Sequence, residues 1–416
     1  MRSHFLTIAL LLLTFSSFAQ YGTSFYHLGN ATMQSTDYNP AYFPEGKFFL
    51  KLPGPGMNLY LNNAFSYSDL FTKQDNGDLA VNANDLINDF GKSFNITGDA
   101  SFNLFHVGYQ FGPRNQPDST GLGISLFVNL RSNFNLALPG SLMDILWQGN
   151  GAFIGDKQTL AFGVNSTMYL ERGLGLAYTL PQSNLKLGLR LKMLNGYSNF
   201  STPSDTEATF LTKGPEDSYA LEASYENMMI RSAGLVNIKD AEEGSTGYLD
   251  GFTETDDYTS LAIPANKGFA VDLGAEYKID SNFTVALAIN DLGVINWTEN
   301  VSTYGLRDSS FQLPDFNLLE DDLGTVIEDT FNNNFDYYQL NEAYKTNLPT
   351  RIVASLIYTP WDDKTDIIAT MNSRIIQGEF RSGFGIGINR KFGPKFILST
   401  SVTKMPQQGL NMGAAI

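Results

Sequence analysis

The chain has no cysteine among its 416 residues. That excludes disulfides, thiol catalysis, zinc–thiolate sites and lipid attachment through an N-terminal thiol. Histidine is scarce too: of three, only His27 and His106 lie beyond the first few residues. A hydrolase needs nucleophile, base and orienter within hydrogen-bond reach, so this shortage argues for a protein that is not an enzyme. Charged residues make up 17% of the chain, below the ~25% of an ordinary soluble domain. The net charge of −16 opposes nucleic-acid binding, which needs a basic surface. The acidic tracts at 240–243 and 250–257 lack the Asp-x-Asp-x-Asp-Gly order of a calcium loop, so neither a metal nor a cofactor is expected. Past the leader, no apolar run reaches the roughly 18 residues of a membrane-spanning helix.

What is there is aromatic and glycine-rich: 31 Phe, 20 Tyr and 38 Gly. Arg2 and His4 precede the apolar run Phe5–Phe15, and Ser17-Phe18-Ala19 has the small-residue spacing of a cleavage site. Residues 1–19 therefore read as a secretory signal peptide.

The clearest structural signal spans Lys267 to Trp297. Phe269, Val271, Leu273, Ala275, Tyr277 and Ile279 alternate with Gly268, Ala270, Asp272, Gly274, Glu276 and Lys278. Asp280-Ser281-Asn282 is a turn, and Phe283, Val285, Leu287 and Ile289 resume the pattern. Period two makes each arm a strand with one greasy and one polar face. Each arm exceeds the roughly 9–11 residues that a tilted strand needs to cross a bilayer. Similar candidates recur at 47–65, 100–111, 122–131, 159–180, 184–194, 206–212, 218–228, 350–359, 365–372, 381–392 and 395–403. Connections at 112–120, 181–183, 213–217, 280–282, 360–364 and 393–394 are short. The alternate ones, at 132–158, 195–205, 229–266 and 298–349, are nearly all much longer. This asymmetry is that of an outer-membrane barrel with short periplasmic turns and long external loops.

The expected fold is thus all-β: a transmembrane antiparallel β-barrel over 56–416, of about fourteen strands because such barrels have even strand numbers. Residues 20–55 are broken by Gly and Pro and read as an N-terminal plug. Gly409–Ile416 makes only part of a closing strand, so the native chain is expected to extend beyond it. The localisation that follows is the outer membrane of a Gram-negative cell, with outer-membrane lipid as the surrounding partner.

Asn39-Pro40-Ala41 resembles the hatch motif of the fatty-acid channel (FadL) superfamily. Leu185–Gly196 and Gly268–Trp297 resemble an uncharacterised Bacteroidota outer-membrane family within it, to which PorV-like secretion barrels are related. The resemblance implies a plugged barrel that either passes hydrophobic or amphipathic small molecules or serves secretion.

Candidate functional residues follow from parity. Lys186, Arg190, Lys192, Glu222, Glu226, Asp272 and Glu276 face the lumen, either as mutually neutralising pairs or as the polar lining of a path. Asn39, Pro40 and Ala41 form either an ordinary turn of the plug or a gating hatch. The alternation breaks at Asp291-Leu292-Gly293, where the wall is expected to kink and an opening could form before Trp297 reaches the outer interface. Gly-x-Gly patterns at 121–123, 173–175 and 383–387 occupy alternate strand positions, so they are inward small residues and not phosphate loops. Residues 317–335 read as an acidic amphipathic helix in an external loop: a lid on the barrel or, alternatively, a contact for a protein partner or, through bridging cations, for anionic surface lipid. The first functional reading is a passive channel for hydrophobic or amphipathic small molecules; the alternative is a secretion or assembly accessory that docks envelope proteins through its external loops, and a third is a purely structural role.

Overall fold

The computed structural model describes residues 26–44, 46–62, 71–73, 79–81, 94–112, 121–159, 163–203, 205–214, 221–238, 252–254, 265–306, 309–313, 337–360, 364–376, 378–393, 396–404 and 410–415. The expected signal peptide at 1–19 and the expected acidic helix at 317–335 lie outside them, as do parts of the long connections 229–266 and 298–349.

One large antiparallel sheet dominates. Its wall strands are β1 (Phe48–Lys51), β2 (Gly54–Asn62), β3 (Phe94–Phe111), β4 (Gly121–Leu138), β5 (Gly163–Thr179), β6 (Leu185–Ser201), β7 (Asn266–Lys278), β8 (Phe283–Trp297), β9 (Thr350–Tyr358), β10 (Thr365–Ile376), β11 (Glu379–Lys391), β12 (Ile397–Lys404) and β13 (Leu410–Ala415). Shorter strands at Met229–Gly234, Val236–Ile238, Phe252–Glu254, Val301–Leu306, Tyr337–Leu340 and Tyr344–Asn347 also join it. Both β1 and β2 pair with β3, and each later strand pairs with its predecessor to β13. The sheet curls: Arg374 on β10 reaches Asp99 on β3 at 3.1 Å, although the pairing order separates these strands widely.

Period-two sequence becomes two-faced structure. Outward side chains are large and apolar, among them Tyr109, Leu187, Phe269, Leu273, Leu287 and Ile386. Inward ones are small or polar, among them Ser125, Asn135, Thr370 and Asn389. Such a continuous exposed apolar face needs an apolar partner. It is concentrated toward the short turns, for example from Phe283 to Leu292, about the length that spans a bilayer. Aromatic contacts gather there: Tyr109 with Phe111 at 4.7 Å, Phe283 with Tyr358 at 4.8 Å and Phe392 with Phe396 at 5.6 Å. Strands β3 and β4 are 18 residues long, so they continue past this band. The stretches 132–138 and 195–201, expected as loop, are therefore strand. No helix among the described residues is long and apolar enough to cross a membrane.

Three further differences from the sequence reading have physical causes. The strands expected at 206–212 and 218–228 leave the large sheet. Glu207–Thr212 and Leu221–Glu226 pair with each other and with Lys157–Thr159 and Ser309–Leu313 in a separate four-stranded sheet. Phe210 and Ala223 bury against Ile145 of helix α1 (Gly140–Gln148). Pro139 precedes this helix in extended conformation, and Gly149, at φ 77°, ends it. Alternation is the same whether a face meets lipid or a local core, so parity could not separate the two cases. The strands that flank 213–217 consequently belong to the insertion between β6 and β7 and not to the hairpins with short turns. Strand β1 begins at Phe48, before the expected plug boundary at residue 55. Finally, 71–73 and 79–81, in a stretch where no strand was expected, form a small hairpin.

Candidate functional site

Residues 26–44 lie along the inward face of the curled sheet, and glycine makes the room. Gly274 of β7 and Gly188 of β6 are cross-strand partners. A Cβ on Gly188 would fall 2.1 Å from the backbone of Pro40 and Ala41, and one on Gly274 would fall 2.1 Å from Oδ1 of Asn39. Asn39-Pro40-Ala41 therefore sits on a bare patch of wall that any other residue pair would fill. Its Asn39 side chain donates to the Ala275 carbonyl at 3.3 Å and accepts the Ala41 N–H at 2.9 Å. Asn39 and Ala41 are fully buried.

The rest of the segment is tied to strands around the sheet. Tyr26 hydroxyl bonds Ser355 at 2.8 Å, and His27 Nε2 bonds Thr370 at 2.6 Å. Gly387 leaves room for the His27 ring, and Asn389 donates to the His27 carbonyl. Asn290 donates to the Tyr38 carbonyl at 2.8 Å. Arg351 donates to the Asp37 carbonyl at 2.6 Å and stacks over the Tyr38 ring at 4.5 Å. The Asp37 carboxylate pairs with Lys51 at 2.9 Å and with Arg190 at 3.7 Å. Burial pushes its pKa up, but Lys51 and Arg190 outweigh that and hold it well below the ordinary carboxylate range. The side chain keeps 39% exposure, so solvent screens these pairs and each is worth less than a dry one. Burial lowers the pKa of His27 to about 4 and keeps it neutral.

The second cluster forms where β8 breaks step. Val271 faces Leu292 and Leu273 faces Ile289, so Asp272 opposes two residues, Asn290 and Asp291. This is a β-bulge, with Asp291 at φ 61°. A non-glycine residue there costs of order 1–3 kcal/mol. Asp272 offsets the cost by accepting the Asp291 N–H at 2.7 Å. The bulge turns Asp291 inward beside Asn290. Lys192 then contacts Asp291 at 2.7 Å, Asp272 at 2.8 Å and Glu171 at 3.3 Å. Arg131 reaches Asp291 at 3.3 Å and Glu171 at 3.4 Å. Lys192, Glu171, Asp272 and Asp291 keep at most 5% side-chain exposure, so removing any one strands its partners without solvent.

Lys186, Arg190, Lys192, Asp272 and Glu276 lie on one face of β6 and β7. Lys186 pairs with Glu276 at 2.5 Å near the short-turn end. Glu222 and Glu226 are corrected: they belong to the small sheet, where Glu222 pairs with Lys213 at 2.7 Å. The kink at Asp291-Leu292-Gly293 is present, but the wall is not open there. Leu348 N–H donates to the Gly293 carbonyl at 3.0 Å, and Leu292 stays in register with Val271 on the other edge. Trp297 is also corrected. The extra residue flips the parity of β8, so Trp297 points inward, fully buried, against the bare Cα of Gly196. Its Nε1–H donates to Thr346 at 2.8 Å. Arg131 and Glu171 were not singled out beforehand, although both occupy inward positions of apolar-alternating strands. Asp37, Lys51 and Arg351 had no signal in spacing, because their contacts join distant parts of the chain.

His106 packs inward between Phe49 at 5.0 Å and Phe127 at 5.4 Å, without a neighbouring nucleophile among its described contacts. No cluster of His, Cys, Asp and Glu fit to hold a metal occurs among the described residues.

A model of DUF5723, a family of unknown function, matches residues 40–416. No curated protein matches the chain. Among solved structures, the chain is similar to the open form of the ferric-catecholate import receptor Fiu from E. coli K12, at 10% identity and a TM-score of 0.21. That match covers 75% of this chain and 55% of the receptor, so the chain spans about half of the receptor's length.

Proposed function

The chain belongs to the DUF5723 family, and we propose that it is an outer-membrane β-barrel whose N-terminal segment plugs it, acting as a docking platform for envelope or secreted proteins. The membrane assignment rests on the two-faced sheet, with its apolar exterior, polar interior and aromatic residues near the short turns. A strand edge facing lipid would leave its backbone groups unpaired, so a curled sheet of this kind needs closure. Short turns face the periplasm and the long-loop end faces outward.

The observation that carries the docking role is the interior. Residues 26–44 are bonded to β6, β7, β8, β9, β10 and β11. Arg374–Asp99 bridges across the sheet, and the inward charges neutralise one another. This disfavours a standing passage for hydrophobic or amphipathic molecules, which would meet ion pairs and amides. At the other end, the sheet of Glu207–Thr212 and its partners projects from the insertion after β6 and offers a folded surface with its own core. The role is a PorV-like, non-catalytic one.

The test places a photo-crosslinking amino acid at Thr209 in the small sheet and, separately, at Leu191 in the apolar band, in the producing cell. A discrete protein adduct from Thr209 alone, with proteoliposomes that take up hydrophobic probes no faster than empty ones, is the expected result. Facilitated uptake together with no protein adduct overturns the docking role.

A further inference from the structure

The outward face of the wall carries a hollow. A groove of about 700 Å3 lies over β8 to β12, lined by Val285, Leu356, Met371, Phe384, Ile386 and Lys404 among others. The register explains it. One lateral row runs Val285, Leu356, Ala369, Ile386, Val402, and the next runs Leu287, Ala354, Met371, Phe384, Lys404. Ala354 and Ala369 are the small members of otherwise large-residue rows, and they sit diagonally on neighbouring strands. The trough they floor is walled by Leu356 on one side and by Phe384 and Ile386 on the other, all strongly exposed.

One charge lines this groove. Lys404 ends β12, which starts just after the turn at Phe392–Phe396. Its ammonium is therefore at the groove's long-loop side, and its four-carbon stem can run along the apolar wall toward the interface. The described lining residues offer no carboxylate to neutralise it.

From this we infer that the groove is a binding site for a phosphorylated, acylated glycolipid of the outer leaflet, with acyl chain in the Ala354–Ala369 trough and phosphate on Lys404. The inference rests on the membrane reading and its topology. An apolar trough selects a chain, and a single cation at the outward end selects an anion placed at the outer interface. A phospholipid of the inner leaflet would carry its phosphate at the opposite end.

The test is native mass spectrometry of the full-length barrel, extracted in mild detergent and incubated with a phosphorylated glycolipid or with phosphatidylglycerol. Three variants accompany the wild type: Lys404→Gln, the trough-filling pair Ala354→Leu with Ala369→Leu, and Leu191→Ala elsewhere in the band as a control. The expected result is glycolipid retained by wild type and control, at least tenfold less by Lys404→Gln and by the filled trough, with weaker phosphatidylglycerol retention throughout. Equal retention by all four proteins, or a preference for phosphatidylglycerol, overturns the site. Heat-modifiable migration of each sample on gels separates this failure from that of the barrel itself, since a folded barrel migrates differently unheated whether or not the groove binds lipid.

Discussion

The carboxylate of Asp272 accepts the backbone N–H of Asp291 at 2.7 Å and also faces Lys192 at 2.8 Å. One side chain thus both satisfies the bulge that turns Asp291 inward and balances the cation that Asp291 binds.

Asp272→Ala removes both contacts and leaves Lys192 and the Asp291 N–H short of a partner. The expected loss is about 3–5 kcal/mol, the usual cost of breaking a buried pair. Asp272→Asn keeps an oxygen for the N–H and should lose less. Urea titrations of refolding into lipid vesicles measure both.

The bare patch under Asn39-Pro40-Ala41 gives a second prediction. Gly274→Val puts side-chain atoms where Asn39 and Pro40 sit, and overpacking of this kind costs about 1–3 kcal/mol. The displaced segment should become cleavable by added protease near residues 26–44, while the protein keeps the heat-modifiable migration expected of a folded barrel.

His27 gives the pH dependence. Its folded pKa of about 4 lies below the ordinary imidazole value of 6.5, so the unfolded chain takes up the proton first as pH falls. Stability is fully present above about pH 6.5 and declines toward pH 4, by up to about 3 kcal/mol for a shift of this size. Midpoints of denaturation should drop across that window in the wild type, and less in His27→Gln.

Trp297 distinguishes the observed parity from uninterrupted alternation. With Trp147 and Trp361 replaced by Phe, the fluorescence of Trp297 should resist quenching by brominated lipid chains, because its ring lies against Gly196 on the inward face of the sheet. Strong quenching would mean that β8 keeps a single parity.

Much of this was legible in the chain because a strand writes its two faces into alternate residues. Lys192 and Asp272 could be assigned to one face, and Asp291-Leu292-Gly293 to an irregularity, from local pattern alone. The consequence of that irregularity was not, since a single inserted residue reverses every later side chain and carries Trp297 from the outward face to the inward one. The hairpin carrying Glu222 and Glu226 alternates as regularly as a wall strand, so only its partners, Lys157–Thr159 and Ser309–Leu313, reveal where it lies. The Gly188–Gly274 patch has meaning only once Asn39 lies over it. Such long-range fits, like Asp37 with Arg190, leave no local mark.

The most direct measurement is single-channel recording in planar bilayers, comparing the full mature chain with a version lacking residues 26–44. The plugged-barrel account expects an electrically silent wild type and a deletion variant with steady conductance through an Asn- and Thr-lined interior. A wild type that conducts steadily, or a folded, inserted deletion variant that remains silent, would contradict it.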